Sequence, residues 1–465
     1  MRRVRKVAAL SAPESSGAGI AERLERIPRT WWTYKIVSIC CLAWLVEAFD
    51  IGLIGVVLPP LRQLWALHPS DLSQLAIAST IGIVIGVVPS GILSDQIGRK
   101  KMLMLGMSEA TFLTLAAALS PSLRWLVVLR LLAGLGMGAM FPLPYALVSE
   151  FVSSRTRGRF TGVMDSLLSV GYFVSPLLGA LIIPNVALNL GWRVLFLLGG
   201  LPLLYVVVIA KYLPESPRWY ESKGRQQEAE AVMCSIESEV SRQLGGPLPP
   251  IGEVTPVLIS RERVPLRTLW EPMYRKRTVM CWLAFGCTLF LFYSIQIFMP
   301  TVVASMGFSM TSAFLFTAII VGASIPGKLL EAVLVERWGR IPVIVSFTLI
   351  AAICAFAFGF VRGSAMVLGV GIVMSFFGIG ANPAVKVFVA ENYPTRVRGT
   401  GVSSAEAVGR LISGVLAPAY FPFLLANHGV AAAYSFVGVL SLGGVVVVAL
   451  LGTETKGRLL EEISR

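Results

Sequence analysis

Glu47 and Asp50 stand one helical turn apart inside the apolar run at 36–61. Residues three apart share a helix face. A carboxylate placed in hydrocarbon is costly unless it pairs, faces water or holds a proton. The chemistry this pair offers is therefore proton exchange, with Asp50 the first candidate and Glu47 either the second or a partner for a Trp or Tyr. Arg130, in the run 124–149, is the matching cation at a similar depth. Protonation of Asp50 would release or reorient Arg130; a fixed ion pair bracing two helices is the plainer alternative. Arg130 is also the cation expected to attract an anionic substrate. Tyr293 and Gln296, one turn apart, together with Trp44, Tyr172 and Asn382, would line a mixed apolar and polar pocket suited to a flat ring. Glu406 and Arg410 are spaced to neutralise each other, as are Lys328 and Glu331. Asp165 is expected to brace helices. Lys386 has no counter-charge in its own run and is expected to snorkel toward water, attraction of a carboxylate substrate being the alternative.

Other chemistries lack their residues. The chain has two histidines and six cysteines, with no HExxH or CxxC spacing from which to build a metal centre. No nucleophile–base cluster argues for an enzyme, and no GxxxxGK[ST] loop argues for an ATP-driven pump. No cofactor and no metal are expected.

The elements that would position these groups are membrane helices. The hydrophobic fraction is 55% and the charged fraction 14%, too few charges to clothe a soluble domain. Apolar runs long enough to cross about 30 Å of hydrocarbon are read at 36–61, 72–95, 102–120, 124–149, 160–184, 192–213, 278–303, 311–334, 341–361, 364–389, 399–425 and 430–452. With both termini cytoplasmic, 32 of the 40 Lys and Arg residues fall inside. Four fall outside or at the outer end of a span (Arg62, Arg124, Arg193, Arg362) and four lie deep within spans (Arg130, Lys328, Lys386, Arg410). This is the positive-inside bias, so the net charge of +14 reflects the lipid bilayer as partner and no nucleic acid.

One offset of 241 residues links the two parts of the chain. It carries Pro59 to Pro300, Gly86 to Gly327, Gly98-Arg99 to Gly339-Arg340, Pro142 to Pro383, and Glu150 to Glu391. Asp165 falls opposite Glu406. Six spans return the chain to its starting side, so the repeats are parallel. The expected fold is an all-α membrane protein of 12 transmembrane helices in two six-helix repeats. Its parts are an N-terminal tail (1–35), an N-terminal bundle (36–213), a cytoplasmic helical linker (214–277, helical across 221–243), a C-terminal bundle (278–452) and a C-terminal tail (453–465). Each chain holds both bundles, so a monomer is expected to work alone. Pro142 and Pro383 remove helix hydrogen bonds and mark bends. The repeated acidic-Gly-Arg order suits a gate, because charge-assisted bonds at helix ends are strong when made and replaceable by water when broken. The first half would supply Asp95, Arg99, Glu150, Arg155 and Arg157; the second, Glu336, Arg340, Glu391, Arg396 and Arg398.

GILSDQIGRKK at 91–101, with its second copy ERWGR at 336–340, resembles the signature loop of the major facilitator superfamily. PESPRWY at 214–220, RTRGR at 155–159, RVRG at 396–399 and GTETKG at 452–457 resemble its sugar-porter-like and organic-ion branches. VEAFDIGLIGVVLPPL at 46–61 and YSIQIFMPTVVASMG at 293–307 resemble its proton-coupled carriers of niacin and aromatic acids, and the seventh span lacks the QQxSG pattern of sugar porters. The resemblance implies a bacterial inner-membrane secondary transporter that takes up a small organic acid with protons by alternating access. Sugar or polyol uptake and proton-driven efflux are the alternatives it leaves.

Overall fold

The computed structural model describes residues 19–251, 265–393 and 397–456, apart from the side chains of Ser154, Arg155 and Arg157. Every regular element among them is helical. A short α1 (Ile20–Glu25) precedes the first long helix, α2 (Trp31–Trp65). Then follow α3 (Pro69–Ile97), α4 (Arg99–Ala117), α5 (Leu123–Met140), α6 (Pro142–Phe151), α7 (Ser154–Ile182), α8 (Leu188–Gly200) and α9 (Tyr205–Tyr212). Two linker helices, α10 (Pro217–Ser222) and α11 (Gln226–Leu244), lead to the second half. That half comprises α12 (Arg275–Ser305), α13 (Met310–Gly322), α14 (Ser324–Trp338), α15 (Arg340–Phe358), α16 (Ser364–Gly378), α17 (Asn382–Glu391), α18 (Arg398–Leu411) and α19 (Ala417–Leu451).

Ten helical stretches among the described residues are long and apolar enough to cross a bilayer. Helix α4 is not one of them, because Lys100, Lys101 and Glu109 interrupt its apolar run. The last stretch, Arg398–Leu451, covers 54 residues and bends at Gly429, where φ is 78° and ψ is −176°. The breaks expected at the matched prolines are present: α5 yields to α6 at Phe141, just before Pro142, and α16 yields to α17 just before Asn382-Pro383.

Small residues set the closest helix contact in the first half. A Cβ at Gly82 would lie 2.1 Å from the Leu131 carbonyl oxygen, and one at Gly138 would lie 2.6 Å from the Gly86 backbone. The Gly134/Gly138 face of α5 therefore meets α3 backbone to backbone.

The expected linker helix is split at Lys223–Arg225, with Gly224 at φ 71°. Helix α11 packs against the start of the chain. Arg23, 2% exposed, holds Glu237 and Glu230, each at 2.6 Å; Arg26 reaches Glu237 at 2.6 Å and Lys35 reaches Glu239 at 2.6 Å. The linker thus lies on the face from which α2 and α12 set out. On the opposite face their far ends touch: a Cβ at Gly55 would come within 2.7 Å of the Gln296 carbonyl oxygen and 2.8 Å of that of Ile297. The two halves are sealed there, and the space between them lies nearer the linker.

Candidate functional site

Asp50 and Arg130 meet, as their types and depth suggested. Arg130 Nη1 donates to Asp50 Oδ1 at 3.1 Å and to Thr114 Oγ1 at 3.0 Å, Nη2 donates to Asp50 Oδ2, and Nε donates to Ser79 Oγ at 3.1 Å. Thr114 Oγ1 in turn donates to Asp50 Oδ1 at 2.8 Å. The Phe196 ring lies 5.7 Å from the guanidinium carbon. Both charges are buried and each nitrogen of Arg130 has a partner in the first half. Neither residue lines the central cavity, so Arg130 does not present itself to an anion there.

That cavity, a narrow space of about 40 Å³, lies between the halves. Of the expected lining residues Tyr172, Tyr293 and Asn382 reach its wall. Trp44 and Gln296 do not. Trp44 is 1% exposed behind Phe141; its Nε1 donates to the Phe141 carbonyl at 2.8 Å and the two rings stack at 5.4 Å. Gln296 is turned toward Gly52 and Ser175, and its Oε1 has no hydrogen-bond partner.

The cavity's cations come from the second half; spacing had given Arg410 and Lys328 local partners rather than a place on the cavity wall. Arg410 makes the expected contact with Glu406, at 3.3 Å, yet it also faces the Tyr293 hydroxyl at 3.4 Å and covers the Phe141 ring at 3.9 Å. Lys386 does not snorkel. Its Nζ pairs with Asp165 Oδ1 of the first half at 3.0 Å and lies 5.4 Å from the Trp44 ring centre. Lys328 donates to the Asp165 carbonyl at 2.9 Å in place of the expected bond to Glu331. Asp165 thus braces the interface, taking two lysines from the facing half. Glu47 is fully buried and neither carboxyl oxygen has a hydrogen-bond partner. Arg410, Glu406, Lys386 and Asp50 are the charged groups that act on it.

On the linker face each half builds its own acidic triad. Arg99 holds Asp95 at 2.7 Å and Glu150 at 3.3 Å; Arg340 holds Glu336 at 3.6 Å and Glu391 at 2.9 Å. Arg398 donates to the Tyr393 carbonyl at 3.3 Å. Arg396 lies outside the described residues, as do the side chains of Arg155 and Arg157.

Two further carboxylates complete these triads. Glu215 accepts from the backbone of Lys100 at 3.0 Å and of Lys101 at 3.5 Å, capping α4. Glu454 accepts from the backbone of Arg340 at 3.0 Å and Ile341 at 2.9 Å, capping α15. Each helix begins after a glycine with positive φ, 111° at Gly98 and 103° at Gly339, and a Cβ there would strike the capping carboxylate. A carboxylate at a helix N-terminus satisfies orphan donors and complements the dipole. Burial raises Glu454, but backbone donors at Arg340, Lys456, Ile341 and Thr455 outweigh it and hold the carboxyl below its ordinary value. Each cap sits in a motif already noticed, PESPRWY and GTETKG. Its role was hidden because the partner lies more than a hundred residues away.

Comparison with known proteins agrees with this architecture. The chain is 32% identical over 445 residues to the niacin transporter NiaP of Acinetobacter baylyi, covering 96% of this chain and 99% of the relative. It is 28% identical to a gallate transporter of Pseudomonas putida, covering 86% and 88%. Among solved structures, the inward-open xylose transporter XylE from E. coli superposes with a TM-score of 0.73 at 19% identity, covering 93% of this chain and 99% of the other, a likeness of fold. The profile described as Major Facilitator Superfamily matches residues 40–418 and 323–462. With paired bundles, a central cavity and two capped triads on one face, the chain belongs to the major facilitator superfamily and is a multi-pass inner-membrane transporter, not an enzyme.

Proposed function

We propose that the protein imports a small organic acid, aromatic or nicotinate-like, together with protons. In this reading it has twelve spans, counting α4 and the two arms of the bent last stretch, with both termini in the cytoplasm. The cavity then opens inward, and the halves rock about it so that the far ends part when the triad face closes. Asp95, Arg99, Glu150, Glu336, Arg340 and Glu391 would hold or release that inner face. Glu47 and Asp50 carry the coupling, with Arg130 as the counter-charge of Asp50.

One observation carries the proposal: three cations of one half, Lys328, Lys386 and Arg410, converge on a wall of Tyr172, Tyr293 and Phe141, with an unpartnered carboxyl behind it. An aromatic carboxylate matches both features, since its charge meets the guanidinium and its ring meets aromatic faces. The names of the niacin and gallate relatives fit the same class. Arg410 and Lys386, rather than Arg130, are the groups we assign to the substrate carboxylate.

The test is uptake of labelled nicotinate and gallate by liposomes holding the purified protein, with and without an inward proton gradient. Gradient-stimulated uptake above protein-free vesicles, lost in Arg410→Ala, is expected. Uptake of a neutral sugar alone, or acid-driven expulsion of the substrate, would overturn it.

A further inference from the structure

Resting on the reading just given, we infer that Asp165 is a tethered stand-in for the substrate. Its carboxylate occupies Lys386 in the empty transporter, the substrate carboxylate displaces it, and its return to Lys386 lets the empty transporter reset.

Asp165 and Lys386 line the cavity from opposite halves, and Lys386 Nζ donates to Asp165 Oδ1 at 3.0 Å. The pair is open to the cavity, with the two side chains 13% and 31% exposed. Lys386 Nζ lies 5.4 Å from the Trp44 ring centre and 5.7 Å from that of Phe141. This aromatic ledge favours an ammonium whichever anion it holds. An ammonium is a point charge with three rotatable donors, so one carboxylate can succeed another on it without a fixed fork to match. With the bridge made, the cavity holds about 40 Å³, room for a few waters at most and none for a ring. The site is thus closed by the chain's own anion, and an organic acid enters only by taking that anion's place.

The displaced carboxylate has somewhere to go. Lys328 of α14, 6% exposed, already donates to the Asp165 backbone carbonyl at 2.9 Å, and an ammonium has two donors left after one bond. A turn of the Asp165 side chain brings its carboxylate to that ammonium while the α7 backbone stays tethered. Glu331, 1% exposed on the same helix as Lys328, competes for this cation: Asp165, Lys328 and Arg340 are the charges that act on it. In the empty cluster Asp165 and Glu331 therefore stand against Lys328 and Lys386, and Asp165 is left to Lys386. Among the described residues it is the one carboxylate within ion-pair distance of Lys386. Removing it strands a cation at the centre of the empty transporter, and an unmatched interior charge is costly. The loaded transporter does not carry that burden, because the substrate supplies the missing anion. Asp165 is therefore a positioning residue whose loss separates binding and exchange from net transport.

Nicotinate is the probe. A site blocked in about nine of ten empty transporters binds about tenfold more weakly than its intrinsic affinity. Asp165→Asn should therefore bind nicotinate about tenfold more tightly in equilibrium measurements on purified protein. In a Lys386→Gln background the same change should leave binding within about twofold, since the competitor has lost its cation. In proteoliposomes, Asp165→Asn should keep nicotinate–nicotinate exchange at the wild-type rate while net gradient-driven uptake falls severalfold, and Asp165→Glu should restore net uptake. Unchanged or weaker binding in Asp165→Asn, equal tightening in the Lys386→Gln background, or exchange that falls in step with net uptake would overturn the inference. If Asp165→Asn does not fold, a structure of the wild type with nicotinate decides: Lys386 on the substrate carboxylate and out of ion-pair reach of Asp165 is expected, and an intact Asp165–Lys386 bridge beside bound nicotinate overturns it. A wild-type protein that neither binds nor carries any organic acid would instead sink the transport reading itself.

Discussion

Replacing Gly55 with valine tests the rocking of the halves at the point where they touch. The Cβ alone would lie 2.7 and 2.8 Å from the carbonyl oxygens of Gln296 and Ile297. Ordinary contacts begin near 3.4 Å, so α2 and α12 would have to part by roughly 0.7 Å. The obstacle is backbone, which has no rotamer to change. Overpacking of this kind costs about 1–3 kcal/mol, and valine methyls add to it. The cost falls only on the arrangement in which these far ends are closed, because no contact exists once they separate. A penalty confined to one of two states shifts their ratio by roughly 5- to 150-fold. The assay is labelling of a single cysteine at Asn382→Cys, on the cavity wall, by an impermeant maleimide applied from the linker side, in a background without the native cysteines. Gly55→Val should slow labelling by up to that factor and depress net uptake, while Gly55→Ala should fall between. Wild-type labelling and uptake rates in Gly55→Val would refute both the closure and the two-state reasoning.

Three other outcomes follow from the contacts described. Asp50→Asn leaves the Arg130 charge buried and unmatched, a loss of about 3–5 kcal/mol seen as a lower melting temperature in detergent; adding Arg130→Gln should restore much of it, and no recovery would deny that the two act as a pair. Glu454, held below its ordinary value in the fold, stabilises the C-terminal segment fully above the unfolded carboxylate value of about 4.3 and loses that contribution as pH falls through the folded value; protection of the 452–456 amides, taken relative to their intrinsic exchange rate at each pH, should fall on acidification in the wild type and be low at all pH in Glu454→Gln. Arg410→Lys keeps the charge but loses the flat contact with Phe141 and the second donor, so the KM for nicotinate should rise about tenfold with a smaller change in kcat; an unchanged KM would remove Arg410 from the site.

Much of the frame was legible because it is written locally or periodically. Apolar length reports spans, and a fixed offset reports duplication without any knowledge of packing. The Asp50–Arg130 pair was readable because hydrocarbon leaves a buried charge few options besides an opposite charge at its own depth. The Asp95–Arg99 and Glu406–Arg410 contacts were readable from four-residue spacing. Contacts between the halves were not. Lys386 finds Asp165 across 221 residues, and nothing in either run encodes which faces of α7 and α17 oppose one another. Arg410 was misjudged for a related reason: pairing with Glu406 satisfies its charge on paper, but a guanidinium has donors and a flat face to spare. Trp44 and Gln296 illustrate the reverse error. Their polarity suggested a cavity wall, whereas an indole N–H is satisfied equally well by a carbonyl exposed at a helix break.

The two carboxylate caps bear on how such a chain is built. Glu215 follows every membrane helix of the first half, and Glu454 follows every one of the second, yet each fastens a helix made more than a hundred residues earlier. Insertion into the bilayer thus proceeds with these joints unmade, and each bundle is fastened only when its own final segment has emerged. A bundle that has lost or inverted a segment cannot present its carboxylate to the waiting helix end. Each cap therefore ties the end of a bundle to a helix made early in it, so the linker-side surface of that bundle is closed by the chain that leaves it.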